Sequence, residues 1–296
     1  MIKSFIEKRE LEYYSDVSLK KYNTYRVDCK CKYLVLPNDK EEFRDLVKYL
    51  VLHEEKFLVL GNGSNVIFLD DYYDGVVILL NKLNDLKIDG EDIEVGAGYS
   101  LQRLAIYTSN LGLEGLEFAT GIPGFVGASV AMNAGAYQSS LSDVVTSVLV
   151  LNSDFEFVTM KNKELKFAYR YSFFKHNQNC FIVSVCMELK QGDKQEIMER
   201  ISKRRVRRLE TQPLDMPSAG SVFRNPEGMH AGALIEDLGL KGFSIGGAQV
   251  SEKHANFIVN TGGATGKEIV QVIDRVKEEV METYHVELVL EQIIIE

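Results

Sequence analysis

Two glycine-rich polar segments constrain the fold of this chain more than any other feature. The longer one, residues 113–139, contains five well-spaced glycines: Gly115, Gly121, Gly124, Gly127 and Gly135. These are too many glycines for an ordinary helix or strand. Because a backbone without side chains can approach a bound molecule closely, we expect this segment to lie against a ligand. The alternative is a compact loop packed by its own side chains.

The shorter segment is the GNGSN turn at residues 61–65, between the apolar stretches FLVL and VIFL. Successive N–H groups in such a turn can converge on an anion, and Ser64 and Asn65 add side-chain donors, so the turn predicts a diphosphate site. A dinucleotide-binding Rossmann turn is excluded, because Val66 replaces the third glycine and a strand follows instead of a helix. An ordinary turn is the alternative.

Composition limits the possible partners. The chain has 296 residues, of which 45% are hydrophobic, and this is enough for a large core and two or three subdomains. A net charge of -9 argues against nucleic acid as the main partner. Charges interrupt the opening residues and no apolar run approaches the roughly 20 residues that cross a bilayer. We therefore expect a cytoplasmic protein that does not insert into membranes.

The 3.6-residue spacing of apolar side chains predicts helices at residues 39–53, 100–112 and 193–208. The third is strongly charged, and its sparse apolar side is expected to contain Ile197, Ile201 and Val206. A capping box formed by Thr265 and Glu268 predicts a long amphipathic helix after it. The final segment, residues 286–295, is predicted to be a strand.

Cysteine and histidine usage predicts no metal site. Cys29 and Cys31 form a C-x-C pair in a stretch whose alternation predicts a strand with both thiols on one face. No second Cys or His pair has zinc-site spacing, and the five histidines show no ligand spacing. The two thiols are therefore interpreted as small structural side chains.

Six motifs follow one another along the chain: GNGSN, GIPGFVGA, MNAGAY, FAYRYSFFK, PSAGSVFRNP and AGALIEDLGLKGFSIGGAQVSEKHANFIVN. Together, and in this order, they resemble the motifs of the UDP-N-acetylenolpyruvoylglucosamine reductase (MurB) family. With KYNTYRV near the start and the last strand, the resemblance covers nearly the whole chain. The compact length is similar to that of the type II branch.

The resemblance implies an α+β fold of three parts. Two mixed α/β subdomains, residues 1–80 and 81–208, would bind FAD in the PCMH-type flavoprotein fold. A C-terminal α/β domain, residues 209–285, would bind the UDP-sugar, and the strand at residues 286–296 would return to the flavin part. We expect a monomer.

The resemblance also implies the reaction, which is the NADPH-dependent reduction of UDP-N-acetylglucosamine enolpyruvate to UDP-N-acetylmuramate for peptidoglycan precursors. FAD would be non-covalent, because no histidine lies in the flavin loops as a tether. The implied FAD contacts lie in both glycine-rich segments: Gly61, Asn62, Gly63, Ser64, Asn65, Gly121, Ile122, Pro123, Gly124, Gly127, Ala128 and Ser129. The implied substrate contacts are Asn133, Tyr137, Arg224 and Asn225.

Three catalytic positions follow from the same resemblance, and their residue types suit the reaction. The substrate's enol ether accepts hydride only if its carboxylate takes up negative charge, which the permanently cationic Arg170 can stabilise with paired donors. Ser221 would then protonate the adjacent, strongly basic carbon. Glu291 would be a protonated hydrogen-bond donor, or would orient Arg170 or a water molecule.

The sequence departs from the family's patterns at several places, and one basic run admits two interpretations. Two of the departures are mild: Gly127, Ala128 and Ser129 stand where many members read GGA, and residues 135–138 read GAYQ where many read GAYG. Tyr25 to Cys29 read YRVDC where relatives often read FRIGG, and the tail reads LVLEQI in place of LE-x-EV. The basic run at residues 203–208 is interpreted as a solvated helix face. The alternative is that one of its arginines meets a phosphate of NADPH or UDP.

Two other functions remain alternatives. One is a different FAD oxidoreductase of the same cofactor-binding fold, which would oxidise an alcohol or lactone and would lack PSAGSVFRNP. The other is a non-catalytic protein that binds flavin or a nucleotide sugar. The presence of Arg170 and Ser221 argues against this second alternative, although a binding protein could retain both.

Overall fold

A computed structural model describes residues 2–296 and shows an α+β protein, as predicted from the sequence. The chain forms two compact units, each with its own core. The first unit contains residues 2–15, 33–61 and 75–205, and the second contains residues 16–32, 62–74 and 206–296. The chain passes between them five times, and each unit is therefore assembled from segments that are distant in sequence.

Helices and strands alternate irregularly along the described residues. The α-helices are α1 (Ile2–Lys8), α2 (Lys40–Leu52), α3 (Leu101–Asn110), α4 (Val126–Ala131), α5 (Lys194–Thr211), α6 (Ala231–Asp237) and α7 (Gly266–Tyr284). The strands before α4 are β1 (Glu12–Ser18), β2 (Lys30–Leu36), β3 (Phe57–Leu60), β4 (Val66–Phe68), β5 (Tyr72–Leu79), β6 (Leu86–Asp89), β7 (Asp92–Gly96) and β8 (Leu113–Glu114). Those after it are β9 (Gly135–Ala136), β10 (Ser139–Ser140), β11 (Val145–Leu151), β12 (Phe157–Lys161), β13 (Phe181–Glu188), β14 (Lys190–Gln191), β15 (Ser244–Ile245), β16 (Ala248–Val250), β17 (Ile258–Asn260) and β18 (Ile293–Ile295).

The first unit is built on a five-stranded antiparallel sheet in the order β12-β11-β13-β7-β6. The register of β11 and β13 shifts twice, as expected for β-bulges. A second sheet has the order β1-β2-β5-β3, in which β3 and β5 are parallel. Aliphatic side chains from these sheets and from α2 and α3 share one continuous core.

The second unit has a smaller antiparallel sheet in the order β15-β16-β17. The hydrophobic core of this unit includes one face of α7. Its other regular pairing is parallel, between β18 and β4. This pairing joins the end of the chain to the strand that follows the GNGSN turn. The last strand is thus held beside residues more than two hundred positions earlier.

Three helices begin with a side-chain cap, and the cap of α7 was predicted from the sequence. Asp39 caps α2 by accepting from the N–H of Glu42, and Ser100 caps α3 by accepting from that of Arg103. The predicted capping box of α7 is present, because Thr265 and Glu268 each accept a hydrogen bond from the other's N–H. The apolar stripe of α7 is buried as predicted: Ile269, Val272, Ile273, Val276 and Val280.

Replacing Thr265 by alanine is expected to lower the free energy of unfolding by about 1 kcal/mol, because the N–H of Glu268 loses its acceptor. Urea unfolding of the purified protein measures this loss. Thr283 is exposed in the last turn of α7, so Thr283→Ala is the matched control and should cost nothing. Equal stability of both variants would show that the box does not stabilise α7.

Three predictions of secondary structure were wrong in part. Residues 126–131 form a short helix, since Gly127 is the one glycine within it. Val206 is half-exposed because it lies nine residues after the buried Ile197, which is half a turn round the helix. In the tail, only Ile293–Ile295 is a strand. Leu290 makes an isolated bridge to Phe223. Pro226 follows Phe223 by three residues and has no N–H with which to continue a strand ladder.

The two cysteines of the C-x-C pair are buried. Cys31 lies in β2, whereas Cys29 lies one residue before it, so the prediction that both thiols lie in the strand was wrong at Cys29. Burial raises the pKa of Cys29 to about 11 and that of Cys31 to about 12. Within residues 2–296 no helix is long and apolar enough to cross a membrane, and no group of acidic, His and Cys side chains could hold a metal ion.

Candidate functional site

An antiparallel pairing in the second unit brings Glu291 next to Ser221. Phe223 bridges Leu290, Glu291 donates its N–H to the carbonyl of Val222 at 2.8 Å, and the N–H of Arg224 donates to Val289 at 2.9 Å. In this register Glu291 is opposite Val222, and Ser221 is the residue immediately before Val222. Both residues are half-buried. Two predicted catalytic positions, 70 residues apart in sequence, are therefore neighbours in the fold.

Asn65 of the GNGSN turn joins the same group. Its side-chain Nδ2 donates to the carbonyl of Glu291 at 3.1 Å, and its own carbonyl accepts from the N–H of Ile293 at 2.9 Å. These two bonds fix the turn to the segment on both sides of Gln292. The part of the predicted FAD turn in this unit, residues 62–65, thus lies beside Ser221 and Glu291.

The turn itself requires glycine at position 63. Gly63 is buried with φ +62°, and a Cβ there would lie 2.1 Å from the carbonyl oxygen of Tyr22. Its carbonyl accepts from the N–H of Thr24 at 3.0 Å. No group in the described part of the chain accepts from the N–H of Asn62 or Gly63. Since amides shielded from water need a partner, the two adjacent N–H groups at Asn62 and Gly63 suit an anion such as a diphosphate.

Replacing Gly63 by alanine is expected to cost about 2–4 kcal/mol of folding free energy and to reduce flavin binding, because the turn must move. Gly90 is the matched control: its φ is +61°, and no atom lies within 4 Å of an added Cβ. Gly90→Ala should cost only the conformational part, about 1–2 kcal/mol. Urea unfolding and the flavin-to-protein ratio measure both effects. Equal losses in the two variants would contradict this account of the turn.

Residues after Ser221 are fixed by a buried amide. The side chain of Asn256 accepts from the N–H of Phe223 at 2.9 Å and donates to its carbonyl at 2.8 Å. The carbonyl of Asn256 accepts from Val222 at 3.0 Å. Further along, Asn225 accepts from the N–H of Ala231 at 3.1 Å, at the start of α6. The segment between the predicted proton donor and the predicted substrate residue is therefore well ordered.

In the first unit, the glycine-rich segment packs closely against the residues that follow β7 and β3, and glycine is needed at both contacts. A Cβ on Gly127 would lie 2.7 Å from that of Ala97, and one on Gly61 would lie 2.8 Å from that of Ala128. Just before these contacts in the chain, Gly124 and Phe125 are half-buried, and neither N–H has an acceptor among residues 2–296. The segment thus offers unsatisfied main-chain donors where a ligand is predicted.

Arg170 lies on a tight turn that is fastened to the glycine-rich segment. Ala168 and Tyr171 exchange two backbone hydrogen bonds of 3.1 Å, and Arg170 has φ +53°, an uncommon backbone conformation for a residue with a side chain. Its Nη2 donates to the carbonyl of Gly135 at 2.8 Å. Asn133 donates to the carbonyl of Ala168 at 2.9 Å. Backbone strain of this kind is concentrated at functional sites.

Tyr137 lies at the tip of the β9–β10 hairpin and contacts the basic run of α5. Tyr137 and Gln138 have φ of +56° and +64°, as in the two-residue turns that normally carry glycine or asparagine. The guanidinium of Arg204 lies 4.7 Å from the Tyr137 ring centroid, and the Tyr137 hydroxyl donates to the Arg204 carbonyl. The interpretation of this run as a solvated face was therefore wrong at Arg204, which packs on a predicted substrate residue.

A buried carboxylate anchors the other end of the glycine-rich segment, and sequence reasoning did not identify it. Glu117 accepts from the N–H of Gly115 at 2.8 Å and from Arg200 at 2.7 Å. Arg200 also reaches Glu114 at 2.8 Å. Glu117 begins the 3-10 turn Glu117–Gly121, so the ion pair fixes α5 to the start of the predicted FAD loop. The only sequence signal was the acidic pair three residues apart.

Comparisons with known proteins identify the family. A model of the C-terminal domain of UDP-N-acetylenolpyruvoylglucosamine reductase matches residues 212–295, and one of an FAD binding domain matches residues 31–161. The reductase of Bacillus licheniformis is 42% identical over 91% of this chain and 89% of its own. The chain belongs to the UDP-N-acetylenolpyruvoylglucosamine reductase (MurB) family.

Other members are similar to this chain over nearly their full length. The reductase of Caldanaerobacter subterraneus is 39% identical over 96% of this chain and 93% of its own. The crystal structure of MurB from Thermus caldophilus superposes with a TM-score of 0.83 and 35% identity over 97% of this chain and 99% of that one. The predicted family, fold class, FAD cofactor and flavin-dependent oxidoreductase activity are thereby confirmed.

The geometry of each unit fits FAD and reductase chemistry. The first unit holds free amides at Gly124 and Phe125 and a strained, half-buried Arg170. The second holds free amides in the GNGSN turn beside Ser221 and Glu291. Such donors match a cofactor that carries a diphosphate and a flat polar ring. The roles of the individual site residues stay predictions.

Proposed function

We propose that this chain reduces UDP-N-acetylglucosamine enolpyruvate to UDP-N-acetylmuramate, a step in making peptidoglycan precursors, with NADPH as the source of electrons. Its membership of the MurB family supports the reaction. The observation that carries the assignment to particular residues is the pairing of Glu291 with Val222, which makes two polar candidates neighbours of the GNGSN turn. A protein that only bound flavin would need no such group.

The flavin-binding residues we propose lie in the two segments where main-chain N–H groups have no acceptor among the described residues. Asn62 and Gly63 offer adjacent amides for the diphosphate, with Ser64 and Asn65 beside them. Within residues 121–129, Gly124 and Phe125 offer a second pair of amides, and the flat ring system would lie against this segment. When bound, FAD supplies the hydride that NADPH delivers to it. The protein's own residues have to bind the substrate, orient it and provide the proton.

Arg170 is proposed to bind the enolpyruvyl carboxylate. Hydride addition moves negative charge towards that carboxylate, and a fixed cation lowers the barrier because it binds the more charged transition state more strongly. The anchoring of Arg170 Nη2 to Gly135 supports this role. A guanidinium that is already fixed need not reorganise when charge appears. Asn133 and Tyr137, on the same network, are proposed to contact the sugar nucleotide.

Ser221 is proposed to donate the proton to the carbon that carries the carboxylate. A serine hydroxyl is a weak acid, so it is effective only if it is held close to this strongly basic carbon. Glu291, whose main chain pairs with Val222 next to Ser221, is proposed to assist as a hydrogen-bond donor or by orienting a water molecule. Arg224 and Asn225, which follow in the chain, are proposed to bind the UDP-sugar.

A further set of proposals concerns the domains, the oligomeric state and the location of the protein. We propose flavin-binding parts at residues 1–80 and 81–208 and a UDP-sugar domain at residues 209–285. The parallel pairing of β18 with β4 supports the return of residues 286–296 to the flavin part. We also propose a monomeric, cytoplasmic enzyme, since its substrates are small soluble molecules.

The test is to purify the protein, record its flavin spectrum, and measure NADPH oxidation with and without UDP-N-acetylglucosamine enolpyruvate. We expect bound or readily restored FAD and NADPH oxidation that depends on the sugar nucleotide. Absence of flavin binding after FAD is supplied would indicate a non-catalytic relative. Flavin reduction by an alcohol or lactone alone would indicate the other class of oxidoreductase.

A further inference from the structure

A buried tyrosine and a buried glutamine hold the turn before Ser221. Tyr25 is 0% exposed and Gln292 is 4% exposed. The Tyr25 hydroxyl donates to Gln292 Oε1 at 3.0 Å. Gln292 Nε2 donates to the carbonyls of Ala219 at 3.1 Å and Gly220 at 3.4 Å. One carboxamide therefore links a buried phenol to the two peptide groups that precede Ser221.

The turn needs this support because glycine gives it little stiffness of its own. Gly220 has φ +75°, and no atom lies within 4 Å of the place where its Cβ would be. The first backbone bond after the turn is made by Val222, whose N–H donates to Asn256. The direction of the Ser221 side chain therefore depends on the peptide planes at positions 219 and 220, which are the ones that Gln292 binds.

The phenol gives the carboxamide a single orientation. A hydroxyl that donates must meet the oxygen of the amide, so the NH2 group is turned towards the two carbonyls. Burial raises the pKa of Tyr25 well above its usual value, so the hydroxyl stays protonated and keeps donating. The network is satisfied at both ends, and such buried networks specify one arrangement of their neighbours.

These two residues are also places where the sequence departs from the family's patterns. Tyr25 occupies the position of Phe in FRIGG, and Gln292 occupies that of Val in LE-x-EV. The two departures meet as a hydrogen-bonded pair in the structure. A polar pair thus stands where those patterns would give an apolar one, and only the polar pair can bind the carbonyls before Ser221.

We propose that Gln292 is a positioning residue for Ser221, and that Tyr25 fixes the orientation of its carboxamide. The proposal rests on the proposed role of Ser221 as proton donor. Because the hydroxyl is a weak acid, its contribution depends on orientation, and a shift of the turn lowers the rate of proton transfer. The step affected is substrate reduction, while the reduction of bound FAD by NADPH does not involve Ser221.

The experiment separates the two half-reactions in the FAD-loaded protein. The enzyme is reduced with dithionite without oxygen and mixed with UDP-N-acetylglucosamine enolpyruvate, and flavin reoxidation is followed by absorbance. Gln292→Met removes all three hydrogen bonds of the carboxamide at similar volume and should slow reoxidation by about tenfold to a hundredfold. Tyr25→Phe leaves Gln292 in place without its orienting donor and should slow it less. Flavin reduction by NADPH should be unchanged in both.

Two controls distinguish positioning from general damage. Gln249 lies in the same unit and donates to the carbonyl of Gly242 at 3.2 Å, so Gln249→Met is the matched variant and should leave both half-reactions unchanged. In a Ser221→Ala background, Gln292→Met should have no further effect on reoxidation, because there is no hydroxyl to orient. Hydrogen exchange of peptides spanning residues 219–224, measured without FAD, should be faster in Gln292→Met.

The possible outcomes are distinct. If the wild-type flavin is not reoxidised by the sugar nucleotide, the proposed function fails. If the wild-type flavin is reoxidised, two results overturn the positioning role while the function stands. One is that Gln292→Met does not slow reoxidation. The other is that it slows reoxidation by the same factor in the wild-type and the Ser221→Ala backgrounds. Faster exchange without slower reoxidation also overturns it. Should Gln292→Met not fold, Tyr25→Phe tested in the same two backgrounds decides the question.

Discussion

Replacing Ser221 by alanine is expected to lower the rate of substrate reduction by about 10³-fold, since proton donation by a positioned group contributes on that order. The reduction of bound FAD by NADPH should continue at the wild-type rate. Reduced flavin should therefore accumulate during turnover in the variant. Stopped-flow absorbance of the two half-reactions measures both rates.

The matched control for this variant is Ser244→Ala, because Ser244 lies in the same unit, on β15, and is exposed. It should retain the wild-type rates of both half-reactions. Ser221→Cys retains a donor of similar size and should recover part of the lost rate. If Ser221→Ala reduces the sugar nucleotide as fast as the wild type, the proton comes from another group, and Glu291 is then the first candidate.

Replacing Arg170 by methionine is expected to lower kcat by about 10²–10³-fold, because the charge that develops on the enolpyruvyl carboxylate loses its partner. Arg170→Lys should recover only part of this loss. A lysine keeps the charge but presents it as a point, and it cannot reproduce the planar guanidinium that binds Gly135. Steady-state kinetics with the sugar nucleotide as the varied substrate measures kcat and KM separately.

The control for Arg170 is Arg103→Met, since Arg103 is exposed on α3 in the same unit and its loss should change neither constant. Flavin reduction by NADPH should be nearly unchanged in Arg170→Met. An increase in KM with unchanged kcat would contradict the proposed role, because it would mean that Arg170 binds substrate and transition state equally.

Local sequence patterns predicted the parts of the fold that depend on neighbouring residues. The capping box and apolar stripe of α7 are present as predicted, because both need contacts only three or four residues apart. The GNGSN turn between two strands follows the same rule. The turn that carries Arg170 was not predicted, since its positive φ depends on bonds from Asn133 and to Gly135, more than thirty residues away.

Pairings between distant segments set the limit of the sequence analysis. Motifs named Ser221 and Glu291 separately, but only the bridge between Phe223 and Leu290 makes them neighbours. Tyr25 and Gln292 were noticed only as departures from family patterns, and no local rule indicated that they bind each other. Val206 shows that apolar character alone does not place a residue on the buried side of a helix. It is 52% exposed because its position on α5 is half a turn away from the buried Ile197.

The most direct test of the central claim is the mass of the sugar nucleotide after incubation with the FAD-loaded protein and NADPH. The account predicts that UDP-N-acetylglucosamine enolpyruvate is converted to a species heavier by two hydrogen atoms, with one NADPH oxidised for each molecule formed. Recovery of the sugar nucleotide at its original mass, from protein that holds FAD and is reduced by NADPH, would contradict it.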